Sequence, residues 1–402
     1  MYLPKLTDFS SFSLQRLLST CFGDSFKSLR FCILIDLPDP RLVKDFAFLN
    51  QSGLDVQKMA VSHFLNELNQ DNQAVSILDN QCDFFAFKTT GGSNLDPEDL
   101  AVSPQGSQLS LAKDIYPNYD IILAITDFSL TAPLTAMAKV FGFRGATLHG
   151  VNEIILNSGL SVDYELVSKQ SETLRALLSE AEFFNLELAC LGQTYQLQLD
   201  CANQPAQKSH GLCPPGSPDV ANLPAGEVYF VPKSASGEFP FRFDDGTLAA
   251  MKVEDGFITS CSLLRGNQEL VDSRNELLRS DPMTGAIGEL GFGTQLLPFS
   301  GKDIQDEKIL GTCHVATGRS DHLGGHLTPS LFKEKMNASH DDILFAPEKT
   351  PEIIISKVSM RKNGQDYLVL ENFYPSDYIL SNLADYYPTN LIKDSKKSLS
   401  SV

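Results

Sequence analysis

The sequence predicts an α/β protein in two parts: an N-terminal α/β domain with a mainly parallel sheet, then a β-rich α+β domain. Three observations carry this reading. Apolar strand-like runs alternate with helical periodicity through the first half, the pattern of strands joined by crossover helices. Composition shifts between residues 202 and 225, in a stretch rich in proline. Beyond it, short alternating runs flank tight-turn signals.

In chain order, FCILIDLP (31–38) and DIILAITD (120–127) are continuous apolar runs of buried-strand length. KMAVSHFLNELN (58–69) and APLTAMAKVFGF (132–143) place apolar residues at three- and four-residue spacing, which makes one apolar helix face. GATLHG (145–150) is a short strand, and ELVSKQSETLRALLSEAEFF (165–184) is the longest predicted helix. Residues 91–108 are polar, with Gly, Pro and Ser, and predict a surface loop. No strand leads into a G-x-G-x-x-G or a Walker loop, so a nucleotide site has no support. In the second half, TLAAMKVEDGFITSCSL (247–263) alternates around Glu-Asp-Gly, and EIIISKVSMRKNGQDYLVL (352–370) around Asn363-Gly364, a strong hairpin signal. The expected division is therefore 1–205, 206–390 and a frayed tail over 391–402.

The apolar fraction of 42% and charged fraction of 20% are those of an ordinary soluble protein. No apolar run reaches the roughly 18 residues that cross a bilayer. The start lacks the basic and apolar segments of a secretion signal, so a cytoplasmic location is expected. A net charge of −18 repels nucleic acid and anionic lipid and suits a cationic ligand or a metal. The eight cysteines include no C-x-x-C pair, which excludes a zinc ribbon and predicts reduced, buried thiols.

Four of the seven histidines fall between His314 and His340. A transition-metal site needs imidazole nitrogens and carboxylate oxygens converging on one point. His340 and Asp342, two apart at the start of an apolar strand, share a face. His314 lies in the strand-like GTCHVATG, where it can bring a second imidazole to the same place. Glu227 follows Pro-Ala-Gly in NLPAGEVYFVP, and Glu289 sits among four glycines in GAIGELGFGT. Each feature alone has a blander reading: a strand histidine is usually structural, and a carboxylate beside a turn usually caps or is solvated. His322 and His326 read as groups on the rim, His63 as a helix residue, and His149 and His210 have no ligand-like setting.

NLPAGEVYFVP, GELGFGT, EKILGTCHVATG and the H-x-D of SHDDI occur in the order seen in the aminopeptidase T family of metallopeptidases, which the chain resembles from about 120 to 345. FGFRGATLHGVNEIILNSGLSVDYELV resembles the family's segment upstream of its catalytic domain. The resemblance implies two divalent ions (zinc, cobalt or magnesium) held by Glu227, Glu289, His314, His340 and Asp342. It also implies hydrolysis of N-terminal peptide bonds, a carboxylate such as Glu227 or Glu289 moving the proton, and a homodimer. The family's tyrosine beside the metals is replaced by Asp321, so either Asp321 or His322 substitutes as ligand or proton carrier, or the substrate or the activity has changed. The fold resembles in addition that of 2,5-dihydroxypyridine dioxygenases. On that alternative His314, His340 and Asp342 form a facial triad for one iron. A third alternative is a non-catalytic relative that binds peptides or partners.

Overall fold

In a computed structural model the chain is described over residues 3–70 and 77–387, and the tail expected at 391–402 lies outside the described residues. Contacts divide the chain into two units. The first comprises residues 5–167 and 210–225, the second 1–4, 168–209 and 226–402.

The first unit is built on a seven-stranded sheet. Its strands, in spatial order, are Val220–Asn222, Arg144–Thr147, Ile121–Ala124, Phe31–Leu37, Asp83–Lys88, Ala101–Val102 and Gln108–Leu109. The first five run parallel, and the last two pairings are antiparallel. All seven residues of Phe31–Leu37 are buried, as expected of a parallel strand covered on both faces. The expected helices form over Asp55–Leu68 and Thr131–Phe141, the latter stopped by Gly142 in the left-handed region. The polar stretch 91–108 is not wholly loop: Ala101 and Val102 are buried and pair with Ala86 and Phe87.

The second unit holds two antiparallel sheets. The larger orders Phe257–Arg265, Leu248–Glu254, Ser234–Arg242, Gln193–Asp200, Phe183–Cys190, Ile353–Lys362, Gln365–Glu371 and Tyr374–Pro375. Both expected hairpins form, with left-handed backbone at Asp255-Gly256 and at Asn363-Gly364. The smaller sheet orders His340–Phe345, Cys313–Gly318, Ile287–Gly293, Glu227–Phe230 and Gln207–Ser209. One apolar core joins the two: Phe184 of the larger sheet has its ring 5.2 Å from Phe230 and 5.4 Å from Phe292 of the smaller.

Three boundaries differ from expectation. The longest helix is Tyr164–Leu178, and Phe183 and Phe184 begin a strand after Glu180 turns the chain at positive φ. The proline-rich connection contributes Gln207–Ser209 to one sheet and Val220–Asn222 to the other, both as edge strands, where missing ladder bonds are tolerated. The units divide at Val167, inside that helix, rather than at 205. Strands Phe183–Cys190 and Gln193–Asp200 pair with Ile353–Lys362 and Ser234–Arg242, which claims them for the second unit.

Candidate metal centre

Register in the smaller sheet brings the five expected donors onto one face. His314 stands opposite Gly291, Ala316 opposite both Glu289 and Asp342, Gly318 opposite His340, and Gly293 opposite Glu227. Alternation turns Val228, Phe230, Leu290, Phe292, Val315 and Phe345 to the other face, where they enter the apolar core. One face thus holds the sheet in place while the other presents polar side chains. The positions between the donors are glycine or alanine, so little but backbone lies beneath them. A β-carbon at Gly291 would overlap the His314 imidazole, and one at Gly293 would strike the backbone of Lys308 and Ile309.

His314 Nε2 lies 3.5 Å from Glu289 Oε1, 3.8 Å from Glu227 Oε2 and 3.9 Å from Asp342 Oδ1. His340 Nε2 lies 3.0 Å from Glu289 Oε2 and 3.3 Å from Asp342 Oδ1. Two ligands bound to one ion at about 2.1 Å each stand about 3.4 Å apart at a tetrahedral angle. The donor spacings bracket that value. His340 Nδ1 bonds the Arg319 carbonyl oxygen at 2.6 Å, and donation from that nitrogen leaves Nε2 with its lone pair turned to the carboxylates. The donors fall into three triplets: Glu227–Glu289–His314, Glu289–His340–Asp342 and Glu307–His314–Asp342. These groups, all buried except the half-buried Asp342, could hold a divalent metal.

Lys308 and Glu307 were missed by the sequence reading. Lys308 is fully buried, 2.7 Å from Glu227 Oε1 and bonded to Glu307 on its other side. The only signal was a Glu-Lys pair directly before the apolar run that leads to His314, and on paper such a pair is indistinguishable from a solvated one.

Burial works against the charge on every one of these groups, and their neighbours decide which way each shifts. For His314, burial is outweighed by the Glu289 hydrogen bond and by the charges of Glu289, Glu307 and Asp342, which raise it to about 10. Burial likewise opposes the charge on Glu289, but the bonds to His314 and His340 hold it low. Asp342 is held low against burial by the charge and bond of His340. Glu307 is pushed up by burial, with Lys308 only partly offsetting. Glu227, Glu289 and Asp342 together outweigh the one fixed ammonium, which calls for further positive charge at the imidazole nitrogens.

Asp321 belongs to none of the three donor triplets. Arg319 holds it, with Nε 2.7 Å from Oδ1 and Nη2 3.3 Å from Oδ2. His322 packs its ring edge-on against His340 at 5.1 Å between centroids, and burial lowers its pKa. His326 is exposed. His63 lies on the Ala60–Leu65 helical turn, 3.6 Å from Glu153.

No helix among the described residues is long and apolar enough to cross a membrane. No protein-family model and no curated protein matches the chain. The resemblance to aminopeptidase T therefore rests on its four motifs. Among solved structures the chain is similar to 2,5-dihydroxypyridine dioxygenase from Pseudomonas putida KT2440, at a TM-score of 0.55 and 13% identity, over 90% of this chain and 97% of that one. The likeness covers both units and is one of fold.

Proposed function

We propose that the centre is a two-metal site that activates water to hydrolyse the N-terminal amide bond of a peptide. The observation that carries this reading is the placement of Glu289. Its two oxygens face two different imidazoles, Oε1 toward His314 and Oε2 toward His340, as a carboxylate bridging two ions would. Charge supports it: Glu227, Glu289 and Asp342 outnumber the Lys308 ammonium, and bound divalent ions would offset that negative excess. Two such ions polarise a carbonyl and bring a shared water close to neutral pKa. The chain's own part is to fix them. Glu227, Glu289, His314, His340 and Asp342 would hold them, with Glu289 placed between the two imidazoles. Lys308 restrains Glu227 and Glu307, and Glu307 is the carboxylate best kept from full ionisation, hence suited to pass a proton to the leaving amine. Asp321 acts through Arg319 rather than as a ligand. The motifs that suggest this chemistry also suggest a homodimer.

A second reading, favoured by the fold of the dioxygenase, is a mononuclear iron site on His314, His340 and Asp342. Against it, among the described residues no donor triplet contains both imidazoles.

Elemental analysis of gently purified protein, with assays on aminoacyl amides, short peptides and dihydroxypyridines, separates the two. Two ions per chain and amide cleavage are expected, with His314→Ala and His340→Ala each retaining about one ion. One iron per chain with oxygen consumption, and no cleavage under any metal, overturns the hydrolase in favour of the dioxygenase.

A further inference from the structure

Helix Gln268–Ser280 carries Arg274, whose Nε is buried without a hydrogen-bond partner. Among the described residues its guanidinium makes neither a hydrogen bond nor an ion pair. Arginine stays charged in proteins, so it cannot escape burial by losing its proton. Burial does press its pKa below the usual value, with Asp341 pulling the other way. Arg274 as a whole is half-buried, but a guanidinium N–H shut away without an acceptor costs free energy that an anionic partner would recover.

Arg274 lines a cavity of about 80 Å³ together with Leu277, Thr284, Met336, Ser339 and Asp341. Asp341 is the only carboxylate on this wall, and its Oδ2 accepts a hydrogen bond from the Ser339 hydroxyl at 2.7 Å. It lies between His340 and Asp342 in sequence, so strand alternation turns it to the opposite face of the sheet from the metal donors. The wall therefore carries one positive and one negative group that do not pair with each other. Leu277 and Met336 add an apolar flank. A water needs about 10–15 Å³ of such space, so the cavity accepts a ligand of roughly six heavy atoms.

We propose that this cavity is a binding site for a small α-amino acid, with the ligand's carboxylate on the Arg274 fork and its ammonium on Asp341. A planar guanidinium matches a carboxylate with two parallel bonds, and a zwitterion is the ligand class that satisfies both wall charges without leaving net charge behind. The Thr284 and Ser339 hydroxyls are further polar groups of the lining. None of the metal donors takes part, so the assignment stands apart from the proposed reaction. If that reaction is peptide hydrolysis, the ligand has the chemistry of its product, and Ser339–Asp342 is the backbone through which occupancy reaches His340.

The test is calorimetric titration of the full-length protein, in chelator and again with zinc, using L-alanine, acetate, ethylamine and inorganic phosphate. Alanine is expected to bind once per chain in both conditions, about tenfold more tightly than acetate, with no heat from ethylamine. Arg274→Gln should weaken alanine and acetate alike by about tenfold or more, and Asp341→Asn should weaken alanine while leaving acetate unchanged. Should Arg274→Gln fail to fold, Arg274→Lys, which keeps the charge and loses the fork, takes its place with the same expected direction. Alanine that binds only with zinc, binds equally to the variants, or is outcompeted by phosphate overturns the assignment. Loss of peptidase activity in every assay leaves it standing.

Discussion

A β-carbon added at Gly291 would land inside the imidazole of His314. The backbone there is not left-handed, so glycine is required for space alone. Gly291→Ala should leave the sheet folded, by circular dichroism, while lowering metal affinity by at least about tenfold, because the ring must swing off its donors. An unchanged titration would show that His314 is not held there. Lys308 makes the complementary case. Its ammonium is the fixed positive charge between Glu227 and Glu307, and Lys308→Met leaves both carboxylates buried beside each other. Metal-free protein should lose about 3–5 kcal/mol of stability in urea unfolding, and added divalent ions should recover part of it, since they supply the missing charge. A deficit that metal does not narrow would detach Lys308 from the centre.

At the level of elements, the donors were legible because strand chemistry is local. The H-x-D spacing and the glycine settings of Glu227 and Glu289 can be read from the letters, and register then places them on one face. Lys308 was not legible, because its burial depends on Gly293 letting a loop from 15 residues downstream pass close by. The short edge strand Gln207–Ser209 was hidden for a similar reason: among the described residues its strand partner is Glu227–Phe230, about 20 residues downstream. Asp321 shows the limit from the other side, since its position suggested a group beside the metals and Arg319 claims it instead. Because the Arg319 carbonyl also bonds His340 Nδ1, Asp321→Ala should loosen the His340 ring without removing a donor. The expected loss of metal affinity is about 10–100-fold, with Asp321→Asn milder. Unaltered affinity in the alanine variant would confine Asp321 to a surface role.

Over the whole molecule, continuity of the sequence is a poor guide to continuity of the fold. Strand Phe183–Cys190 lies between Gln193–Asp200 and Ile353–Lys362 within the eight-stranded sheet, although nothing in its sequence separates it from the first half. A fragment of residues 206–402 contains all five expected metal donors but lacks both of these strands. It should fail to fold, with Phe230 and Phe292 stripped of their partner Phe184. Gel filtration and amide proton dispersion would decide, and a dispersed, monomeric fragment would locate the core of that unit elsewhere.

All eight cysteines are buried, with no disulfide among them. Cys21, Cys32, Cys82 and Cys213 belong to the first unit, and Cys190, Cys201, Cys261 and Cys313 to the second. Burial raises the pKa of the thiols in both, so the thiolate that reacts with alkylating reagents is scarce until the chain opens. The molecule thus carries two sets of built-in clocks. The rate at which each thiol is labelled, mapped by mass spectrometry, times the opening of its own surroundings, and Cys313, adjacent to His314, should slow selectively when metal is bound.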